Sequence, residues 1–448
     1  MTNHLENLTQ ALLTAARQAG ADHADAIAID GTALSIDVRN GTLEQAERAE
    51  GIEIGLRVMI GQRQACVSSS DTNPATLATM AERAVAMARE APADPTTGLA
   101  DPAQLATGWD IAALQLADPA QDPTHALLEH DARTAEAAAL SHSGISMVES
   151  ASASYGRRDI HLAASNGFSG GYQRTSRSLY CVAITGTGTG MERDYYGDSR
   201  IFQSDLIDAT TIGNIAAART LERAGARKPP TGTFPVLYDE RVASSLIGHI
   251  LSAINGASIA RGSSWLRDAV GTLILPAALS VVEDPHRPRT ASSRPFDAEG
   301  LPTARRALVQ DGVLQGWVMD LASARKLGLT STANAARGPS APPSPATTNI
   351  ALTEGTQTRA DLIRDMGTGL LITSMIGASI NPTTGDYSRG ASGFWVENGQ
   401  IAYPVNECTV AGTLRDMLRS LVPANDARLH LSTVVPSLLV EGLTIAGA

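Results

Sequence analysis

Cysteine is scarce in this chain. Its 448 residues include three, Cys66, Cys181 and Cys408, too far apart for a CxxC pair and too few for a disulfide framework. That usage fits a reducing compartment. No apolar run reaches the roughly 18–20 residues that a membrane helix needs. The N-terminus carries Glu6 and no basic stretch leading into an apolar one, so it does not read as a signal peptide. A cytoplasmic protein without membrane contact is expected. Positive charge is short as well: 35 Lys plus Arg face 46 Asp plus Glu, a net charge of −11. A nucleic-acid surface needs clustered basic residues, so no nucleic acid is expected as a partner. Catalytic motifs are missing too. The nine histidines form no HExxH or HxxxH pair, and no serine stands in a GxSxG elbow. The run Gly186-Thr187-Gly188-Thr189-Gly190 lacks the Lys-Ser/Thr of a P-loop, and reads as a strand bend or loose turn.

What is present is a chain long enough for about three units, with 40 glycines and 22 prolines to punctuate it. Leu5, Leu8, Leu12, Leu13 and Ala16 recur at helical spacing. Five short β-like runs follow: 26–30, 34–39, 43–48, 52–60 and 64–69. Asn40-Gly41 is a strong hairpin signal between them. Pro74 suits the first turn of a helix running to about Glu90. Residues 92–123, rich in Ala, Pro and Asp, read as a linker or loosely packed crossover. A second set has a helix at 124–141, β-like runs at 145–154, 157–165, 170–185 and 191–202, and a helix near 207–224. Arg227–Gly232 reads as a boundary. A third set opens with the strand 234–238 and a helix over 240–255 that stops at Gly256. It ends in β-like segments between residues 350 and 446, with Asn398-Gly399 as a further hairpin signal. Two long polar stretches, 283–305 and 331–349, interrupt it; loops of that length are usually functional or mobile.

The residues alone yield few candidates for chemistry. His249 lies in an apolar helix with no partner visible in sequence, and reads first as a core or groove residue. Ser263 sits beside a glycine with no assignable base. Cys408 reads as a buried, apolar-type cysteine. Arg287, Arg289 and Arg294 read as a solvated loop, with contact to an acidic peptide or partner subunit as the alternative.

The order of several motifs resembles one family. These are Ser344–Asn349, Asp361-Leu362-Ile363, Gly369–Ile372, Gly385-Asp386-Tyr387-Ser388, Gly393–Gly399, Tyr403-Pro404-Val405 and Val410–Leu414. Val38–Gly41, Gly51–Val58 and Gly190–Tyr195 agree with them. The pattern resembles the TldD/PmbA family over nearly the whole chain, a family also described as modulators of DNA gyrase. Its TldD branch resembles a zinc peptidase with an HExxxH helix and a later cysteine ligand; its PmbA branch, also called TldE, lacks them. Matched through Gly256 and Arg261–Ser264, the two histidine positions fall on Ile247 and Ser252 and the glutamate position on Gly248. Isoleucine and glycine have no donor for zinc, and no cysteine follows Cys408. The resemblance is therefore to the PmbA/TldE branch.

It implies an α+β protein: an N-terminal helix-plus-antiparallel-sheet domain (1–91), a linker (92–123), a β-rich middle segment (124–226) that could share a domain with the first, and a β-rich C-terminal domain (233–448). It further implies a subunit without catalytic or metal residues of its own. The partner would be a TldD-like zinc peptidase subunit in a heterodimer, with a homodimer as the alternative, and the substrate an unfolded peptide. Leader-peptide removal and antitoxin breakdown are the activities the family suggests. His249, Arg261 and Ser263 are the groove or interface candidates. Two other readings stay open: a non-enzymatic regulator that binds a protein target, and a hydrolase with an unrecognised site around His249 or Ser263.

Overall fold

A computed structural model describes residues 2–447. Helix α1 (Thr2–Ala19) leads into three antiparallel strands, β1 (His23–Arg39), β2 (Thr42–Ile60) and β3 (Arg63–Ser69). Patterning predicts five short strands here; the chain makes three long ones. Gly31 and Gly51, which read as breaks, are paired with each other within the β1–β2 ladder. Neither has a positive φ, whereas Asn40 and Gly41 at the true turn have φ of 52° and 67°. Helix α2 (Pro74–Glu90) buries Leu77, Met80, Ala81, Ala84, Val85 and Ala88 on one face.

The crossover holds a short helix, α3 (Ile111–Leu114), and is not loose. Trp109 packs edge-on against Phe296 at 4.8 Å, and Leu114 and Leu116 are buried. Next come α4 (His125–Leu140), β4 (Ile145–Ala164), β5 (Ser169–Thr185), β6 (Glu192–Arg200) and α5 (Ala209–Glu222). The runs 145–154 and 157–165 are one strand, because Gly156 continues the ladder opposite Ser176. The glycine run before β6 is a tight turn, with positive φ at Gly186 and Gly188.

Strand β4 pairs with β1, giving one sheet in the order β3-β2-β1-β4-β5-β6. Side chains alternate along β1. Ala24, Ala26 and Ala28 pack with α1 and α2; Leu34, Ile36 and Val38, in the same alternation, pack with α4 and α5. Ile27 and Ile29 belong to the other alternation and meet Phe168, Phe296 and Trp109.

The remainder runs β7 (Gly232–Tyr238), α6 (Glu240–Ala253), α7 (Gly256–Ala260), β8 (Val281–Glu283), β9 (Arg306–Gln310), β10 (Val313–Leu314), α8 (Leu321–Leu327), β11 (Ala335–Ala336), β12 (Ser344–Pro345), β13 (Ile350–Leu352), α9 (Arg359–Met366), β14 (Gly369–Ile380), β15 (Asp386–Glu397), β16 (Gln400–Thr413), α10 (Leu414–Arg419), β17 (Val422–Pro423), β18 (Thr433–Val434) and β19 (Leu438–Ala446). The main sheet has the order β16-β15-β14-β7-β19-β17, and β16 also pairs with β19 over Thr409–Ala411. Five strands thus close on themselves, which removes free sheet edges along the closure. A smaller sheet, β10-β9-β8-β13-β18, packs nearby. Gly256 does not stop a helix as expected. It begins α7, where an added Cβ would lie 2.8 Å from the Met319 side chain.

The two long polar stretches are pinned by buried charge. Glu283 Oε1 accepts the Thr348 N–H at 2.7 Å and the Asn334 amide at 2.8 Å, while its Oε2 meets Arg306 at 2.9 Å. Arg294 donates to the carbonyls of Ala335 and Ala346. Arg287 donates to the carbonyls of Leu431 and Leu429, and Arg289 pairs with Asp205 at 3.0 Å. The expected solvated basic loop is instead a set of structural clasps. The second stretch is anchored to the N-terminal sheet: Arg337 pairs with buried Asp25, and Pro339 lies against Gly55, where a Cβ would come within 2.1 Å of the Pro339 oxygen. Only glycine fits that approach. Glu192 and Asp194 of β6 join the two halves, Glu192 accepting from Asn406 and Asp194 meeting Arg241 at 3.3 Å. Among the described residues no helix is long and apolar enough to cross a membrane.

Candidate functional site

Helix α6 is capped by Asp239, whose carboxylate accepts the Arg241 N–H at 3.2 Å. Burial alone would raise the Asp239 carboxyl, but Arg241 and Arg359 beside it hold it below the usual carboxylate range. Ala243, Leu246, Ile247, Ile250 and Ala253 are buried, so Ile247 is part of the C-terminal core and fully enclosed. Ser252 is exposed. Gly248 faces open space: a Cβ there would meet nothing within 4 Å.

His249 stands next to Gly248 and packs edge-on against Tyr387 of β15, ring centroids 5.7 Å apart. Its Nε2 is enclosed and has no hydrogen-bond partner among the described residues. Burial, then the Arg389 cation, lowers its pKa, so the imidazole is neutral near pH 7. Behind it the Tyr387 hydroxyl contacts Met375 Sδ at 3.5 Å and lies 3.5 Å from the Tyr238 hydroxyl. Burial raises both phenols. Strand β14 pairs with β7 over Leu370–Ile372 only. From Thr373 to Ile380, one edge of β14 therefore has no strand partner among the described residues, and Ile376 on that stretch is 78% exposed.

This arrangement offers a free strand edge, which can bind an extended chain by main-chain hydrogen bonds; the Tyr238 and Tyr387 hydroxyls behind it are enclosed in the core. The other sequence candidates lie apart from it. Arg261 caps the end of α7 and donates to Ser258 Oγ at 3.3 Å. The Ser263 hydroxyl makes no hydrogen bond to a histidine or carboxylate among the described residues, so no activated serine forms there. Cys408 is buried, its thiol pushed up to about 11 by burial, which suits a core residue and not a nucleophile. Tyr238, Met375 and Arg389 were not foreseeable as neighbours of His249, since nothing in spacing links α6 to β14 and β15.

With this geometry in hand, comparison with known proteins identifies the class. Three domain models match in succession: PmbA/TldA metallopeptidase domain 1 over residues 24–88, the central domain over 117–224 and the C-terminal domain over 231–447. The chain is 36% identical to Metalloprotease PmbA of Escherichia coli O157:H7 over 445 residues, covering 98% of this chain and 96% of that one. A Metalloprotease TldD homolog of Haemophilus influenzae matches at 24% identity over 262 residues, 54% of each chain. A crystal structure from Bacteroides thetaiotaomicron, named as a candidate modulator of DNA gyrase, superposes with a TM-score of 0.89 at 27% identity, over 99% of this chain and 98% of that one. TldE of Thermococcus kodakarensis shares the fold, with a TM-score of 0.86 at 17% identity over 98% and 100%. The chain belongs to the PmbA/TldD metallopeptidase family.

The family name implies a metal, and the residues here can be tested for it. The positions that the resemblance assigns to ligands carry an enclosed isoleucine, a glycine and an exposed serine. They supply at most one weak oxygen donor, against the three or four N, S or O ligands a zinc site uses. Among the described residues no three His, Cys, Asp or Glu side chains stand close enough to hold a metal ion. This donor set does not fit zinc.

Proposed function

We propose that this chain is a PmbA/TldE-type subunit of a cytoplasmic peptidase complex, in which a TldD-type partner holds the zinc and this chain helps hold an unfolded peptide. The observation that carries this reading is helix α6 and the strand it packs on: where a zinc peptidase needs donors α6 has Ile247 and Gly248, and β14 keeps an unpaired edge from Thr373 to Ile380 among the described residues. A strand edge binds extended chain with little demand on its sequence, and a folded protein cannot offer such a strand. The partial matches to TldD homologues support a partner of that kind.

The test is a peptidase assay on an unfolded peptide, with metal analysis, for the chain alone and mixed with a TldD-type subunit. Zinc and turnover in the mixture only, with the two subunits co-eluting, are the expected outcome. Turnover by the chain alone that survives a chelator overturns the proposal in favour of a hydrolase with another site. Failure to co-elute overturns it in favour of a homodimer or a regulator of another protein.

A further inference from the structure

A cavity of about 310 Å³ lies where the N-terminal sheet, the crossover and the C-terminal region meet. It plays no part in the reading above. Arg57 and Gln64 wall one side, residues 94–98 another, and Pro342–Pro345 a third. Glu299 and Asp320 also line it, and they are 9% and 2% exposed. Glu299 Oε2 accepts the Leu321 N–H at 2.8 Å, and Asp320 Oδ1 accepts the Ser323 N–H at 2.8 Å. Glu299 Oε1 and Asp320 Oδ2 accept no hydrogen bond among the described residues. Thr97 Oγ1, on the crossover wall, is enclosed and has no partner among the described residues. Glu299 and Asp320 both line the cavity, so their two oxygens are free to accept a donor from a ligand there. Arg57 does not supply one. Its guanidinium is committed to Asp25 at 2.7 Å and Gln64 at 3.3 Å.

The opposite charge stands among the exposed lining residues. Arg261 and Lys326 both line the cavity and are exposed, and Lys326 makes no ion pair or hydrogen bond among the described residues. Asp94 is the exposed acid beside them. Beside the Arg57–Asp25 pair, the buried lining therefore carries two carboxyls and the exposed lining is mainly basic, and among the described residues no cluster is fit for a metal ion. Its volume lies at the low end of the roughly 300–1,000 Å³ typical of ligand pockets, so the ligand is small.

We propose that this cavity binds a short peptide with a free amino terminus and a free carboxylate. The ammonium would lie between Asp320 and Glu299, and the carboxylate would reach Arg261 and Lys326. The state of Glu299 agrees. Burial, then repulsion from Asp297 and Asp320, lifts Glu299 to about 8 against the opposing Leu321 N–H and Arg57, so the chain only partly compensates its charged form. A diamine would leave Arg261 and Lys326 opposed, and a dicarboxylate would be repelled by Asp320.

The test is calorimetric titration of the full chain with Ala-Ala, with N-acetyl-Ala-Ala amide, with 1,5-diaminopentane and with succinate. Ala-Ala is expected to bind and the other three not. Glu299→Gln should weaken Ala-Ala by about tenfold or more, the loss of one charge-assisted hydrogen bond. Asp320 also caps α8, so Asp320→Asn could unfold the chain. Arg261→Gln and Lys326→Gln, both at exposed positions, serve as the variants that leave the fold intact. Each should weaken binding by roughly two- to fivefold, as for a solvent-exposed charge pair, with unchanged circular dichroism. Binding of the blocked peptide, or of the diamine undiminished by Arg261→Gln, overturns the proposal, as does absence of heat with Ala-Ala up to roughly 10 mM, beyond the range of a specific site. The experiment uses this chain alone, so its failure leaves the partnership with a TldD-type subunit untouched.

Discussion

Ile247 and Gly248 are adjacent, yet their environments demand opposite responses to the same substitution. Ile247→Ala removes three buried carbons. At about 0.8 kcal/mol per buried methylene that is about 2.4 kcal/mol. The space left behind adds to this, because Trp395, Leu246 and Ile250 in the same cluster are held by their own strands and helix. The whole loss should then lie within the roughly 2–5 kcal/mol seen for such truncations. For a region of this size each kcal/mol shifts the melting midpoint by about 2–4 °C, so a fall of at least about 5 °C is expected. Gly248→Ala should do the reverse. Its φ is not positive, its added Cβ meets nothing within 4 Å, and alanine favours a helix interior over glycine by about 0.5–1 kcal/mol. A rise of about 1–4 °C follows. The assay is thermal unfolding followed by tryptophan fluorescence, since Trp265, Trp317 and Trp395 all lie in this core. If Ile247→Ala melts within a degree of the parent, Ile247 is not a core residue and the packing described for α6 is refuted.

Asp194 takes Arg241 at 3.3 Å and Arg223 at 3.6 Å in a buried setting. Asp194→Ala should cost roughly 3 kcal/mol, the lower end for breaking a buried pair, because Glu192 and Asp239 still serve the two arginines; urea unfolding would read it. Burial lowers the His249 pKa, so below the ordinary histidine pKa the unfolded chain binds a proton that the folded chain refuses. The parent therefore loses stability on this account as pH falls from about 7.5 to 5.5, through the ordinary histidine pKa of about 6.5. The melting midpoint of His249→Phe relative to the parent should rise over that range, and a difference independent of pH would refute the assignment. Gly55→Val forces a side chain into the Pro339 backbone. It should release 331–349 and make that stretch the first site of limited proteolysis, while the parent resists.

Much of the fold is local and was legible in the residues. Helical spacing marked α1, α2, α4 and α5, and the Asn-Gly pairs marked hairpins because both turn positions tolerate positive φ. Glycine misled where it was extended: Gly31, Gly51 and Gly156 read as breaks, yet each continues a ladder. The crossover and the two polar stretches looked loose because composition reports side-chain polarity, not where a charge is paired. Glu283 and the Arg337 side chain are polar in sequence and enclosed in the structure, and Arg294 is tied to two backbone carbonyls.

The candidate site divides the same way. That Ile247 and Gly248 carry no donor for zinc follows from the side chains themselves. Family membership was also legible, because the order of short motifs is a one-dimensional property. Tertiary structure alone decided what surrounds those positions. Strand β14 leaves an edge beside α6, Tyr387 packs edge-on against His249 from some 140 residues away, and Glu299 and Asp320 line one cavity with Arg57 from the other half of the chain. Patterning sees neighbours within a helical turn or a strand pair. Contacts between distant segments are set by how the sheets close and where the loops are pinned, and that depends on the summed packing of the whole chain.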